Sequence, residues 1–366
     1  MTQTLGVRKA PSRLFADTLV KNEIFAYPFK CKPFRSFNFK LSSDYTKMRK
    51  RTVFRRRMFI FAAILFMVFL LLAFIRGRIL VTRWYRIPYA SDLQKHPAEG
   101  NISDLCCKKR LTLVALSDLH GDISGRNFKR MSLLIKDIAP DLIVYLGDMI
   151  EKTQPEESME VLEKLTEQLS AIAPVYYVDG NHEQELHETS PDLYMQLNSS
   201  LDDMGAVHLN NTVIQIKDGI QSNPVNLCGI SSHYYWGDSE NDLLKKLSNM
   251  EGIKILLCHY PESVLWYDAF ELGNLDAALC GHTHGGLIRI PLMGGIYAPE
   301  QGWIPLYDLG QYPVYTDTNF RHKGGSDFSD YLGTMVISGG LAGEHGIPRI
   351  NNPMEISVIE LSNGYE

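Results

Sequence analysis

The apolar run Leu275-Asp276-Ala277-Ala278-Leu279-Cys280 leads directly into Gly281-His282-Thr283-His284-Gly285-Gly286. The first segment has the length and composition of a buried strand. The glycines beyond it allow the backbone to turn sharply and to approach a ligand closely. Two histidines one residue apart in such a turn can direct both imidazoles at a common centre. The stretch therefore predicts a buried strand that ends at a ligand site.

Four other apolar runs end in similar polar residues. Amphipathic segments with helical spacing separate these runs, and this alternation predicts an α/β layered domain. In open α/β folds, ligands bind at the carboxyl ends of the strands, so we expect these side chains to meet in one crevice. The strand-terminal residues of the five runs are Asp118 and His120, Asp148, Asn181 and His182, His259, and His282 and His284.

Carboxylate, imidazole and amide donors in one set are typical of a site for Mn, Fe or Zn. The set is too large for one tetrahedral ion. We therefore expect two divalent metal ions that share a bridging carboxylate.

The five motifs resemble those of the calcineurin-like metallophosphoesterases. The matching segments are Asp118-Leu119-His120, Gly147-Asp148, Gly180-Asn181-His182-Glu183, His259 and Gly281-His282-Thr283-His284, within residues 111–361. The resemblance implies a layered β-sandwich flanked by helices, the metallophosphoesterase fold, over residues 109–366. It also implies hydrolysis of a phosphodiester or pyrophosphate bond.

Within the superfamily, the chain is most similar to the membrane-anchored bacterial branch. The similarity includes Leu287-Ile288-Arg289-Ile290-Pro291 and the tail from Gly339 to Ile356. Members of that branch are phosphodiesterases or pyrophosphatases, and some are similar to UDP-2,3-diacylglucosamine hydrolases. The expected substrate is therefore a phosphoester or pyrophosphate, such as a lipid-linked or nucleotide-sugar compound of the cell envelope.

The resemblance also implies a role for each strand-terminal residue. The first metal would have four ligands, Asp118, His120, Asp148 and His284. The second would share Asp148 and add three, Asn181, His259 and His282. Two ions about 3.5–4 Å apart lower the pKa of a bridging water, and the resulting hydroxide would attack phosphorus in line. His182 would be the catalytic residue that stabilises or protonates the leaving oxygen.

Two departures from the family pattern bear on this interpretation. Glu183 stands where the family usually has Asp, outside the ligand set. Met149-Ile150-Glu151-Lys152 follows Asp148 and lacks the arginine of Ser/Thr protein phosphatases. The missing phosphate clamp weighs against a phosphoprotein substrate.

Charge is distributed unevenly along the chain. Residues 1–57 contain 15 Lys and Arg against three Asp and Glu, whereas residues 87–366 contain 18 against 39. The body of the protein therefore has a net charge of −21. Such a surface is a poor partner for a nucleic-acid backbone, which cationic side chains must neutralise. We expect no nucleic-acid binding, and a secreted nuclease is disfavoured.

Met58–Ile75 is a run of 18 uncharged, almost wholly apolar residues. As a helix it would be about 27 Å long, close to the thickness of a hydrocarbon core. A cleaved signal peptide is a weaker alternative, because Arg76-Gly77-Arg78 follows at once without a small-residue cleavage site. We predict a transmembrane signal anchor over residues 58–75.

Seven basic residues precede this span within residues 47–57, and four follow it within residues 76–86. The positive-inside rule then places residues 1–57 in the cytoplasm as a basic arm. The protein would be a single-pass protein of the cell membrane with an extracytoplasmic catalytic domain. Arg56-Arg57 also resembles a twin-arginine export signal, and ordinary flanking charge is the alternative.

Two further segments complete the predicted organisation. Met48 could be the true start, in which case residues 1–47 are not translated. Residues 76–108 read as a linker, since residues 91–105 are polar and Pro88 and Pro97 interrupt the segment.

Two other functions stay open. A non-catalytic envelope scaffold would retain the fold and lose ligands, whereas all of the expected ligands are present in this sequence. A phosphomonoesterase would use the same ligands. The sequence does not predict the oligomeric state.

Overall fold

The computed structural model describes residues 38–89, 110–121, 128–217, 224–231, 234–316, 331–343 and 347–362, and only the backbone of residues 38–46. Residues 1–37 of the predicted basic arm and residues 90–108 of the predicted linker lie outside this part. The chain divides into two units, with the boundary between Ala63 and Ile64. The described strands all belong to the second unit.

Helix α1 spans Asn38–Arg76. Its segment Lys47–Arg76 is long and apolar enough to cross a membrane, judged by length and composition alone. The predicted span of residues 58–75 lies within this segment. The helix begins well before the span because the intervening lysines and arginines are good helix formers.

The first sheet contains six of the described strands. They are β1 (Leu80–Pro88), β2 (Leu111–Leu116), β3 (Leu142–Leu146), β4 (Val175–Val178), β5 (Ala206–His208) and β16 (Met354–Ser362). Their order is β1-β16-β2-β3-β4-β5. Strands β2 to β5 are parallel, and β16 runs antiparallel to β2 and parallel to β1.

The second sheet also contains six described strands. They are β6 (Thr212–Ile216), β7 (Val225–Ile230), β8 (Ile253–Cys258), β9 (Ala277–Cys280), β14 (Gly310–Tyr315) and β15 (Tyr331–Ile337). Their order is β14-β15-β9-β8-β7-β6, with β7, β8, β9 and β15 parallel. Two short hairpins precede β14: β10 (Arg289–Ile290) with β11 (Gly294–Gly295), and β12 (Tyr297–Ala298) with β13 (Gly302–Trp303).

Helices cover the outer face of each sheet. Those on the first sheet are α2 (Phe128–Ile138), α3 (Pro155–Ser170), α4 (Asn181–Thr189) and α5 (Pro191–Asp203). Those on the second are α6 (Asp238–Ser248), α7 (Pro261–Trp266) and α8 (Ala269–Gly273). This arrangement confirms the predicted layered β-sandwich flanked by helices.

The central strands are apolar throughout because both of their faces are buried. In β2, Val114 and Leu116 pack under the helices, whereas Leu113 and Ala115 face the second sheet. The apolar core between the sheets continues on the opposite side with residues such as Leu257 of β8. This core fixes the position of one sheet against the other.

Residues 80–88, which the sequence assigned to a linker, form the edge strand β1 instead. The buried Glu355 carboxylate of β16 accepts a hydrogen bond from Arg83 Nε at 2.8 Å and another from the Tyr85 hydroxyl at 2.7 Å. The linker prediction is wrong at these residues because the partner strand lies about 270 residues further along the chain. Local composition carries no sign of that pairing.

Replacing Tyr85 with Phe removes one hydrogen bond from a buried charged acceptor. Hydrogen bonds to charged groups contribute about 1.5–3 kcal/mol, so we expect the Tyr85→Phe variant to unfold with a free energy about 2 kcal/mol lower. Urea denaturation in detergent micelles measures the change. Tyr176→Phe in β4 is the control, since within the described residues that hydroxyl makes no hydrogen bond. Equal stability of the two variants would contradict a structural role for β1.

Candidate metal centre

The structure brings all seven predicted ligand residues together. Each has a side-chain oxygen or nitrogen atom that lies no more than 3.7 Å from such an atom of another of the seven. Six of them are buried, and Asn181 is partly exposed. The residues follow β2, β3 and β4 of the first sheet and β8 and β9 of the second, so the site lies where parallel strands of both sheets end.

The first cluster consists of Asp118, His120 and His284. His284 Nε2 lies 3.4 Å from His120 Nε2 and 3.7 Å from Asp118 Oδ1. The other ring nitrogen of His284, Nδ1, donates to the Ala342 carbonyl at 3.3 Å. That hydrogen bond leaves the Nε2 lone pair facing the cluster.

The second cluster consists of Asp148, His259 and His282, with Asn181 beside them. His259 Nδ1 donates to the Leu146 carbonyl at 2.7 Å, so Nε2 faces inward. Asp148 Oδ2, Asn181 Oδ1 and His282 Nδ1 each lie 3.2 Å from this Nε2. These four atoms are close enough together to surround a single cation.

Asp148 belongs to the second cluster and also faces the first. Its Oδ2 is 3.2 Å from His259 Nε2 and 3.9 Å from His120 Nε2. Its other oxygen, Oδ1, accepts a hydrogen bond from the His182 backbone N–H at 2.9 Å. The carboxylate is thus held close to donors of both clusters.

Five of the seven residues have left-handed backbone conformations. Their φ angles are 51° at Asp118, 46° at His120, 52° at Asp148, 71° at His282 and 50° at His284. Such angles are uncommon outside glycine and persist only where the surroundings enforce them. The turns after the strands are therefore preorganised for holding ligands.

Buried groups without partners fit the predicted metals. Asp118 Oδ2 and His282 Nε2 are buried, and neither has a hydrogen-bond partner among the described residues. Leaving buried polar atoms unpaired costs about 1–3 kcal/mol each, and a bound cation would remove the cost at the carboxylate. The donor atoms are oxygens and nitrogens, without a thiolate. Such a set suits Mn, Fe or Zn.

The pKa values of the histidines follow from the same crowding. Burial lowers the pKa of His259, but the Asp148 carboxylate outweighs it and raises that pKa to about 10. Burial, together with the nearby His259, lowers the pKa of His282 to about 3. Burial lowers the pKa of His284 to about 4. His282 and His284 are therefore neutral and can offer lone pairs to a metal.

His182 lies at the edge of the first cluster. Its ring meets that of His120 edge-on, with centroids 4.5 Å apart. Its Nδ1 accepts a hydrogen bond from the Lys152 backbone N–H at 3.3 Å, so a neutral ring carries its proton on Nε2. His182 belongs to neither of these two clusters, but with His120 and Glu151 it forms a third group of side chains that could hold a metal ion.

Glu151 is a site residue that lies outside the five sequence motifs. Its carboxylate lies between His120 and His182, with an oxygen 3.5 Å from Nδ1 of each ring. The one sequence feature that could have pointed to Glu151 is its position three residues after Asp148. Its contact with the two histidines depends on how the turn folds back toward α4, which the local sequence does not specify.

Glu183, noted only as a departure from the family pattern, supports the turn that carries Asp148. Its buried carboxylate accepts hydrogen bonds from four backbone N–H groups at 2.8–3.1 Å; these belong to Asp148, Met149, Ile150 and Gly180. A carboxylate satisfied in this way orders the turn. The residue therefore acts on the site through the backbone.

Arg349 was also missed as a site residue. It is buried and donates to the carbonyls of Gly339, Ala342, Asn352 and Pro353. Ala342 is the residue whose carbonyl also accepts from His284, so this arginine fixes the loop that orients His284. Burial lowers the pKa of Arg349 to about 10, and the group stays charged at neutral pH.

The aromatic loop after β7 has a mixed environment. Trp236 is buried and stacks on Tyr267, whereas Tyr234 contacts Tyr260 and Trp266 edge-on. Tyr260 in turn meets His282 at 4.7 Å between centroids. His233, at the start of this loop, lies outside the described residues.

Gly180→Ala tests whether the site depends on the close backbone approach there. A Cβ at residue 180 would lie 2.3 Å from Asp148 Oδ1, so Asp148 must move. We expect the purified variant to lose most of its bound metal. Inductively coupled plasma mass spectrometry measures the metal content.

Gly237→Ala is a matched control for this substitution. Both glycines are N-caps with extended backbones, and both precede a glutamate at the third helical position. A Cβ at residue 237 would meet only Glu240 Oε2, at 3.7 Å. This variant should retain its metal, and equal loss in both would mean that capping rather than the site is responsible.

Comparisons with known proteins find relatives over the same part of the chain. Residues 111–286 match the family model for calcineurin-like phosphoesterases. An uncharacterized metallophosphoesterase of Campylobacter jejuni is 31% identical over 215 residues, which are 56% of this chain and 52% of that protein. The uncharacterized metallophosphoesterase YkoQ of Bacillus subtilis is 27% identical over 187 residues, 51% of this chain and 66% of that protein.

The phosphodiesterase YaeI of Escherichia coli is 26% identical over 213 residues, which are 56% of this chain and 73% of that protein. The match to the Campylobacter protein covers about half of that relative's length. The family-model match runs from β2 to the turn that contains His282 and His284, and so includes all five motifs. Over residues 111–286, the chain is therefore similar to the calcineurin-like phosphoesterases.

Proposed function

We propose that this protein is a membrane-anchored, two-metal phosphoesterase that hydrolyses a phosphodiester or pyrophosphate bond. The observation that carries the proposal is the position of Asp148, whose carboxylate belongs to one buried cluster and also faces His120 of the other. One metal would be held by Asp118, His120 and His284, and the other by Asn181, His259 and His282. Asp148 would be a ligand to both.

The metals are Mn, Fe or Zn in this proposal. Bound at the two clusters, they would supply positive charge for the phosphoryl oxygens and lower the pKa of a water molecule. The protein orients its donors in advance, since the Leu146 and Ala342 carbonyls fix the rings of His259 and His284. This preorganisation lowers the cost of assembling the site.

His182 is the catalytic residue in the proposal. With Nδ1 accepting from the Lys152 N–H, the ring presents the Nε2 proton as a donor. It can hydrogen-bond to the oxygen on which charge develops as the ester bond breaks. Glu151 lies beside the same ring, with a carboxylate oxygen 3.5 Å from its Nδ1.

The substrate is proposed to be a lipid-linked or nucleotide-sugar compound of the cell envelope. The apolar segment Lys47–Arg76 supports a membrane location, and the excess of cations before the span supports an extracytoplasmic domain. The acidic body argues against a nucleic-acid substrate. A non-catalytic scaffold is disfavoured because all seven expected ligands are present and clustered.

His182→Ala tests the assignment of the catalytic residue. The substrate is bis(p-nitrophenyl) phosphate with added Mn²⁺, and the release of p-nitrophenol is measured. General acid–base or charge-stabilising residues contribute about 10²–10⁴-fold, so we expect kcat to fall by that order while the metal content is unchanged. His187→Ala on the same helix is the control and should keep wild-type activity. Full activity of His182→Ala would refute the assignment.

Asp148→Asn tests whether one carboxylate serves two ions. The wild-type protein, loaded with Mn²⁺ and dialysed, should hold two ions per chain, and a chelator should abolish activity. Because Asp148 faces both clusters, we expect Asp148→Asn to lower the affinity for both ions, whereas His259→Ala should lower the affinity for only one. Metal titration by calorimetry separates these results. A single ion in the wild-type protein would contradict the two-metal proposal.

A further inference from the structure

We propose that the two short hairpins after the metal centre, residues 289–306, rest on the surface of a phospholipid bilayer beside the end of α1. The inference deepens the proposed function and rests on its membrane anchor. It assigns a partner, the lipid head-group region, to this surface. These residues are called the apolar hairpins below.

The apolar hairpins expose large apolar side chains. Leu292 is 108% exposed, Trp303 76% and Leu306 80%, and Met293 and Ile304 are also exposed. Only two charged residues, Arg289 and Glu300, occur within residues 289–306. Single exposed apolar residues are normal on soluble proteins, but a concentration of this kind marks an interaction surface.

The base of the apolar hairpins is attached to the end of α1. The Asn351 N–H donates to the Ala73 carbonyl at 2.7 Å, and Gly77 packs so closely on Arg349 that a Cβ there would lie 1.9 Å from its carbonyl oxygen. From the same segment, the Ile350 carbonyl accepts a hydrogen bond from the Arg289 N–H at 3.0 Å. The helix end and the hairpins therefore share residues 349–351 as a common support.

The hairpins then extend from this support as a row of neighbouring backbones. Ile288 bridges to Ile350, the Ile296 N–H donates to the Ile288 carbonyl at 2.9 Å, and the Ile304 N–H donates to the Ile296 carbonyl at 2.8 Å. Adjacent backbones in such a row are about 4.8 Å apart. Ile304 therefore lies roughly 15 Å from the segment that holds the helix end.

The side chains suit the boundary between water and lipid. Tryptophan and tyrosine are enriched at that depth, and the rings of Trp303 and Tyr297 contact each other with centroids 5.8 Å apart. Arg76 and Arg78 at the end of α1 can meet lipid phosphates. A bilayer is favoured over a protein partner because an anchoring helix would hold this surface close to lipid at all times.

The contact has a consequence for the substrate. Gly286, the last residue of the metal-binding turn, lies directly against Gly295 of β11, where a Cβ would approach to 2.4 Å. The turn that carries His284 is thus packed on the hairpins. Hairpins on the bilayer would place the metal centre beside the lipid head groups, so a phosphoester embedded in the membrane becomes the expected substrate class rather than a soluble nucleotide-sugar.

Trp303 provides the test. The full-length protein is assembled into nanodiscs of phosphatidylcholine and phosphatidylglycerol, with or without brominated acyl chains, and tryptophan fluorescence is recorded. Bromine quenches tryptophan only at close range. We expect the wild-type protein to be quenched and Trp303→Phe to lose more than half of the bromine-dependent quenching.

Trp266→Phe is the matched control, because that side chain is also exposed but lies on α7, outside the apolar hairpins. It should retain the wild-type quenching. Equal quenching of wild type and Trp303→Phe would overturn the proposal. Failure to assemble into nanodiscs would overturn both the hairpin contact and the anchor. Hydrolysis of bis(p-nitrophenyl) phosphate by the wild-type nanodiscs is measured in parallel, so a failure of the phosphoesterase proposal is recognised separately.

Discussion

The Asp148 carboxylate must stay between histidines that belong to opposite sheets, and the rest of the structure depends on that constraint. His120 follows β2 of the first sheet, whereas His259 follows β8 of the second, and both face Asp148 Oδ2. A carboxylate can serve both only if the sheets cannot slide. The apolar core between them, with Leu113 on one side and Leu257 on the other, supplies this rigidity.

The turns that carry the ligands are held in conformations that the chain would not adopt alone. Left-handed backbone at Asp118, Asp148 and His282 costs free energy locally. Buried polar groups around the site offset that cost, since Glu183 orders the turn at Asp148 and Arg349 orders the loop beside His284. The ligands are therefore positioned by residues that would not themselves contact a metal.

The same supporting loop connects the site to the end of the apolar helix. Arg349 fixes the loop from inside, while Asn351 and Gly77 join it to the last turn of α1. The hairpins that follow His284 rest on the other side of this loop. The end of α1, the hairpins and the metal centre thus share one short segment, through which the proposed membrane contact would act on the geometry of the site.

The sequence by itself determined the parts that depend on local composition: the apolar strands, the polar residues at their ends, the apolar helix and the layered α/β class. It could not show that β1 pairs with β16, that Glu151 lies between His120 and His182, or that Arg349 orders the loop at His284. Those facts were decided only by tertiary structure. Each requires contacts between segments far apart in the chain, and a strand edge or a loop carbonyl gives no sign in the sequence of the partner that will satisfy it.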